Sequence, residues 1–216
     1  MSDAAETGLL AETGPTTERE AYRRPQINIQ GDLVGLGPLH RDLIPLYGRW
    51  RNDFFVQRTF GDTPAPRTAE SITAWYDRAA VSSDALWFTI YEAAGWRPIG
   101  HTDLFDVDYR NRTAMFGILI GEADSRGRGY GTETARLMLD YAFTALGLHS
   151  VMLTTDAYNL AGRRAYERAG FREFGRRRQC TLMNGRMWDM VYMECLATEF
   201  QSRVLGRVFV PDEPRS

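Results

Sequence analysis

The sequence predicts an α+β (α/β) domain in which about four helices flank a single mixed, largely antiparallel sheet of about seven strands. Three observations predict it. Between residues 86 and 121 three strand-like runs follow one another across short turns, which is the order of antiparallel hairpins. After Gly121 the order changes to a glycine-rich turn, an amphipathic helix, a buried strand and a short helix, and two further strands close the series. No internal repeat and no second apolar core interrupts it, so the 216 residues read as one domain at 25–197, between a leader at 1–24 and a tail at 198–216.

Residues 1–24 are rich in Ala, Glu, Thr and Gly without periodicity and read as a flexible leader. Order begins near Pro25 with a strand over 26–35. Leu43, Leu46, Tyr47 and Trp50 recur at helical spacing and predict an amphipathic helix within 40–53. Gly61, Pro64 and Pro66 then break the chain, and Thr68 opens a second helix whose buried face is Ile72, Trp75 and Tyr76. Strands follow over 86–92, 98–106 and 112–121, joined through Ala94-Gly95 and Tyr109-Arg110-Asn111. Ala135, Leu137, Met138, Tyr141, Ala142 and Leu146 form the apolar stripe of the next helix, which Gly147 ends. A buried strand over 150–155, a short helix over 161–169 and strands over 173–183 and 187–196 complete the domain.

Composition removes several chemistries. All 26 basic residues are Arg. Without Lys the chain can be neither a phosphate-loop nucleotidase, nor a pyridoxal or Schiff-base enzyme, nor a protein kinase. A net charge of −2 leaves no electrostatic footprint for nucleic acid. Cys180 and Cys195 have neither metal spacing nor the density of a disulfide scaffold, so no metal and a reducing, cytoplasmic compartment are expected. The acidic N-terminus lacks a long apolar run and nothing later approaches the ~18 apolar residues of a membrane helix, so neither a signal peptide nor a membrane is expected.

The stretch Ser125-Arg126-Gly127-Arg128-Gly129-Tyr130-Gly131-Thr132 carries a strand straight into a helix. Such a turn gathers unpaired backbone N–H groups at a positive helix end and suits an anionic phosphate. Its glycines let a ligand approach the backbone, and Arg126 and Arg128 add charged donors. Taken alone, the same residues also read as a connector with two solvated arginines. Two other phosphate motifs fail on spacing. The dinucleotide fingerprint needs glycine at the first, third and sixth positions, and the sixth from Gly127 is Thr132; a Walker loop needs Lys.

Arg126-Gly127-Arg128-Gly129-Tyr130-Gly131 resembles the Gln/Arg-x-x-Gly-x-Gly/Ala motif of the GNAT superfamily of acyl-CoA-dependent N-acetyltransferases. The run from Asn159 through Tyr166-Glu167-Arg168-Ala169-Gly170-Phe171 is similar to the family's Asn-x(6)-Tyr-Glu-Lys-x-Gly-Phe segment. Trp50-Arg51-Asn52-Asp53 and Gly185-Arg186-Met187-Trp188-Asp189-Met190-Val191-Tyr192-Met193 look like the branch containing ribosomal-protein N-terminal, spermidine and amino-sugar acetyltransferases. The four segments occur in order over roughly residues 26–197.

This resemblance implies the GNAT fold, splayed at the acetyl-CoA site, with acetyl-CoA as cosubstrate. It places the pyrophosphate on the backbone of Arg126, Gly127, Arg128, Gly129, Tyr130, Gly131 and Thr132. The pantetheine arm would run beside Ile118, Leu119 and Ile120, with Gly121 marking a bulge. Asn159 would hold the arm or the adenylate side, or cap a helix, and Arg164 would meet the 3′-phosphate or face solvent. Tyr166 would give a proton to the leaving thiolate, or pack in the core with Phe171; backbone amides from Phe116 to Ile118 would polarise the thioester carbonyl. Many relatives carry a Glu two residues ahead of a Gly on this strand, where this chain has Met115 before Phe116-Gly117. A base is then sought among Asp103, His101, Asp156 and Glu122, or in a water ordered by Thr154 or Thr155, while His40 and His149 read as structural. The expected activity is acetyl transfer from acetyl-CoA to a primary amine of a small molecule (amino sugar, polyamine, antibiotic or amino acid) by direct attack in a ternary complex, and a homodimer is compatible with it. The long stretch over 54–66 and the aromatics Trp75, Tyr76, Trp87, Trp96 and Tyr109 suggest a site walled by bulky groups, which favours a compact acceptor. Two other readings compete: a protein N-terminal acetyltransferase, and a CoA-binding module without catalysis, which Met115 supports and Tyr166 opposes.

Overall fold

A computed structural model describes residues 25–61 and 63–212. The expected leader, 1–24, lies outside the described residues. The chain opens with a hairpin of β1 (Ile29–Gln30) and β2 (Val34–Gly37), followed by α1 (Ile44–Asn52), α2 (Phe54–Gln57) and α3 (Ala69–Ala79). The meander β3 (Leu86–Glu92), β4 (Pro98–Asp108) and β5 (Thr113–Ile120) comes next. After it come α4 (Tyr130–Asp140), running on into a π-helical turn at Tyr141–Ala145, then β6 (Ser150–Asp156) and α5 (Leu160–Ala169). The long hairpin β7 (Arg172–Met183) and β8 (Arg186–Leu196) closes the sheet. The order is β1-β2-β3-β4-β5-β6-β8-β7, and only β5 and β6 pair in parallel.

The expected mixed, mostly antiparallel sheet is present, with eight strands in place of about seven and five α-helices in place of about four among the described residues. The extra strand arises because 26–35 turns back on itself. Gly31 N–H donates to the Val34 carbonyl at 2.9 Å, and the Glu133 carboxylate accepts from the N–H groups of Asp32, Leu33 and Val34 at 3.0, 2.7 and 2.7 Å. A partner about 100 residues away thus satisfies the turn. The extra helix, α2, lies in the stretch expected as turns and is started by Asp53, whose side chain accepts from Phe55 N–H at 2.8 Å. Thr68 caps α3 as its position suggested, accepting from Ser71 N–H at 3.2 Å.

Registered partners on neighbouring strands share a face of the sheet. Leu104, Phe116, Val151 and Leu153 join the larger core beneath α4, with Ala135, Met138 and Phe171. The opposite face carries Thr89, His101 and Leu119 in register and is covered by Tyr47, Trp50 and Val56 with Ile72 and Tyr76, the smaller core of α1 to α3. The two helical layers therefore meet the sheet from opposite sides, with β5 between them.

The segment expected as a tail begins by docking on α4. The Asp140 carboxylate accepts from Ser202 Oγ at 2.6 Å and from the N–H groups of Arg203, Val204 and Leu205 at 3.2, 3.0 and 3.2 Å, and Leu205 enters the core. The donors belong to consecutive backbone positions, so one carboxylate orders a whole turn. Asp140→Ala should lower stability by about 2–4 kcal/mol, since several buried donors lose their acceptor. Urea unfolding checks this; a change within ~0.5 kcal/mol, the range of ordinary surface substitutions, would show that the turn is held by other contacts.

Candidate active site

β5 and β6 pair only at Thr113↔Ser150, Ala114↔Val151 and Met115↔Met152. Beyond Met152, β6 continues to pair with β8, while β5 stays with β4 through Ile120. The two parallel strands therefore diverge, and the β5 edge from Phe116 to Ile120 faces a gap. A cleft of about 390 Å³ occupies it, lined by Ile118, Leu119 and Ile120 on one side and by Asn159, Arg164 and Tyr166 of the α5 segment on the other. A slender arm laid in this gap would meet strand backbone, which is how an extended ligand completes a sheet.

At the wide end lies the glycine turn. Gly127 and Gly129 have φ of 73° and 86°, a conformation that side chains with a Cβ rarely adopt. A Cβ added at Gly127 or Gly131 would meet nothing within 4 Å, so the turn faces open space. No side chain caps α4, whose N-cap is Gly129, so the N–H groups of its first turn are left for a ligand. These features fit an anionic pyrophosphate. Arg97 fixes the approach to the turn by donating to Asp124 at 3.1 Å and to Ser125 Oγ at 3.2 Å.

The two arginines of the turn are placed differently from one another. Arg126 folds back: its guanidinium donates to the Gly121 carbonyl at 3.0 Å, lies 3.9 Å from the Asp53 carboxylate and covers the Phe55 ring at 4.7 Å. Arg128 is exposed. Tyr130 and Thr132 lie in the first turn of α4. Gly121 does sit at a bulge, because its N–H and that of Glu122 both donate to the Ile99 carbonyl, at 2.9 and 3.3 Å. The Trp50 indole lies where a Gly121 side chain would be, and its Nε1 donates to Glu122 at 2.7 Å, an oxygen that Arg49 also holds. Motif residue Trp50 is thus a bracket between α1 and the end of β5.

Asn159 caps α5, its Oδ1 accepting from Gly162 N–H at 3.0 Å and its Nδ2 donating to Thr155 Oγ1 at 3.2 Å. Its side chain is committed to the helix start while still lining the cleft. Arg164, one turn on, is exposed at the cleft wall. Tyr166 projects inward against Phe116 and Phe171, with ring centroids 6.3 and 6.2 Å away. Burial pushes its phenol up to about 12, so it keeps its proton throughout the physiological range.

Phe55, Val56, Arg58, Thr59 and Phe60 form a further wall of the cleft, from the stretch over 54–66 that the sequence offered as a bulky wall. No motif marks these residues. Tyr158 ties this wall to the other, its hydroxyl donating to the Arg58 carbonyl at 2.6 Å. Among the residues weighed as bases, Glu122 is consumed by Trp50, Arg49 and Arg97. Asp156 is buried at the far end of β6 beside the Tyr158 hydroxyl. His101 is fully buried with both ring nitrogens unpartnered, and burial with the nearby Arg51 charge holds it well below its ordinary pKa. Asp103, 6% exposed, is pushed up to about 7 by burial, against the opposing pull of Arg51. His40 caps the turn before α1, and His149 pairs with Arg112 through its backbone.

Residues 34–172 match the family described as acetyltransferase (GNAT) domain, well over half of the chain. The chain belongs to the GNAT acetyltransferase family. Probable N-acetyltransferase YjcK of Bacillus subtilis is 33% identical over 170 residues, covering 78% of this chain and 88% of that protein. Spermidine N(1)-acetyltransferase of Vibrio cholerae is 32% identical over 114 residues, 53% of this chain, and the match spans 65% of that relative's length. The solved structure of spermidine N-acetyltransferase from Vibrio cholerae in complex with CoA and spermine has the same fold, with a TM-score of 0.71 at 24% identity over 78% of this chain and 98% of that one. The chain is thus an acyltransferase of a family that uses acetyl-CoA. Among the described residues no helix is long and apolar enough to cross a membrane.

The Trp50 bracket yields a test. Gly121→Ala places a methyl group inside the indole, so Trp50 must leave, as overpacking of about 1–3 kcal/mol would require. Coenzyme A should then bind at least ~10-fold more weakly, by about the 1.4 kcal/mol that a tenfold change represents. Calorimetric titration measures this, and unchanged affinity in a folded variant would show that the bracket does not set the turn.

Proposed function

We propose that the chain transfers an acetyl group from acetyl-CoA to a primary amine of a small molecule by direct attack in a ternary complex, with polyamines the first class to test. The observation that carries the reading is the gap between β5 and β6 with the Tyr166 phenol projecting into its wall. The β5 edge would pair with the pantetheine arm, and the glycine turn would hold the pyrophosphate through Gly127, Gly129, Gly131 and the first N–H groups of α4. Arg164, exposed at the cleft wall, would meet the 3′-phosphate.

Tyr166 would act as the acid. As the carbon–sulfur bond breaks, the electron pair goes to sulfur, and a neutral phenol in an apolar wall donates to the thiolate that forms. A phenol raised by burial is never itself ionised at working pH, so no proton needs to be supplied to it beforehand. Phe116 and Phe171 fix the ring.

A small acceptor is favoured over a protein N-terminus because the Tyr158 hydroxyl, donating to the Arg58 carbonyl, ties the α5 segment to the bulky wall that carries Phe55 and Phe60. The relatives named for spermidine make polyamines the natural start. Thiol release from acetyl-CoA should accelerate with one of a panel of polyamines, amino sugars, amino acids or aminoglycosides. Release with ribosomal-protein N-terminal peptides alone would move the acceptor to protein, and tight coenzyme binding with no release would leave only a binding module. Tyr166→Phe should lower kcat by about 10²-fold, the lower range for a lost general acid, with the coenzyme Kd unchanged. Steady-state kinetics beside a binding titration checks this, and full activity in the variant would remove the acid role.

A further inference from the structure

The amine must lose a proton before it can attack, and the position where many relatives carry a Glu is Met115 here. Met115 lies on the α1–α3 face of β5, in register with Phe105 of β4. Two residues earlier on β4, on the same face, is Asp103, directly opposite Gly117. Diagonal neighbours on one face are about 7–8 Å apart, within reach of side chains. The vacant carboxylate position on β5 thus has a carboxylate beside it on the next strand.

Gly117 makes the arrangement work. A Cβ there would lie 2.5 Å from Asp103 Oδ1, so only glycine lets the carboxylate rest against the β5 backbone. Gly117 lies two residues past the last contact with β6 at Met115↔Met152 and directly before Ile118, the first β5 residue to line the cleft. On one side of this point Phe116 leads to Tyr166; on the other Gly117 leads to Asp103. Asp103 is buried without a hydrogen bond from any described residue, and a carboxylate left in that state is costly unless something arrives to use it.

We infer that Asp103 is the general base of the reaction, receiving the proton of the acceptor ammonium at the mouth of the gap opposite Tyr166. The inference rests on the acetyl-transfer reading above. The ammonium gives one proton to Asp103, which passes it to solvent. The amine lone pair forms the nitrogen–carbon bond, the carbon–sulfur bond breaks with its pair on sulfur, and sulfur takes the Tyr166 proton. The second proton leaving nitrogen restores Tyr166, so one proton is released per amide formed.

Several charged and titratable groups share this face. α1 presents Arg51 and Tyr47, whose phenol burial raises to about 12, and β4 itself presents His101. Tyr76 of α3 and Tyr91 of β3 lie beside Tyr47, and register puts Asp156 of β6 with Glu194 and Tyr192 of β8 on the same side of the sheet beyond Met115. Trp75, Trp87, Thr89, Met115, Gly117 and Leu119 complete the face and do not titrate. His101 stays neutral at working pH, so an acid limb near neutrality belongs to Asp103.

The test is the pH profile of kcat/KM for an amine that the wild type acetylates. The wild type should lose activity below a midpoint near 7, where Asp103 protonates. Asp103→Asn should lose that limb and at least ~10²-fold in kcat/KM, with the coenzyme A Kd within about twofold of wild type. Asp103→Glu should keep most of the rate with a displaced midpoint. A limb unchanged in Asp103→Asn, or equal losses in the Asn and Glu variants, overturns the assignment. A wild type that binds coenzyme and acetylates no amine sinks the underlying reading instead. A readout independent of turnover accompanies these. The folded pKa of Asp103 lies above its unfolded value, so its stabilising effect is complete below about pH 4 and is lost as pH rises through about 7. The melting temperature of Asp103→Asn should therefore gain on wild type between pH 5 and pH 8. A constant difference would mean that the carboxylate is not buried as an unpaired group, and the proposal would fall.

Discussion

Everything at the centre of this molecule depends on a pairing that stops early. Three residue pairs join β5 to β6, after which each strand keeps its other neighbour and loses this one. Strand backbone groups left unpaired in a protein interior are costly, because each has given up water without gaining a partner. The surroundings make that cost tolerable: the gap is an open cleft, and both strands are held from behind by antiparallel ladders, β5 by β4 and β6 by β8. The glycine turn continues the gap, so one defect in the sheet and one uncapped helix start share a single cleft.

The second constraint is the position of β5 between two helical layers. Side chains alternate across a strand, so neighbouring residues on β5 report to different cores. Phe116 belongs to the layer of α4 and α5, and Leu119 to that of α1 to α3. Tyr166 of α5 therefore lies on one side of β5, against Phe116, and Asp103 of β4 on the other, against Gly117. The layers are tied at the far end of the strand by Trp50 on Gly121, and at the hairpin by Glu133, which reaches from α4 to the β1–β2 turn.

Much of this was legible from the letters where the cause was local. The meander, the Thr68 cap and the glycine turn follow from spacing within a few residues, and the structure places them there. Legibility failed where the cause was distant. The first strand splits because Glu133 satisfies a turn some hundred residues away, and Ser202 to Leu205 dock because Asp140 accepts from them. Arg126 stood in the motif, but the motif could not say that Gly121 and Asp53 would claim its side chain. Asn159 had both readings open, and its cap geometry is observed. Asp103, His101, Asp156 and Glu122 were equivalent on paper. Register and burial separate them, because these decide which acid is already paired and which lies across from a glycine at the mouth of the gap.

The bare edge of β5 also bears on how copies of this chain behave toward one another. An unpaired strand edge is a template for another polypeptide, and on the outside of a sheet it invites aggregation. Here that edge is interior, shielded by β6 at its origin and by α5 across the cleft. The true outer edges are poor templates: β1 is two residues long, and β7 carries Arg176, Arg177 and Arg178 in succession and breaks register with its neighbour twice. Among the described residues, the bare row of β5 is thus the sheltered one, and the outer edges give a sister strand little flat surface to attach to.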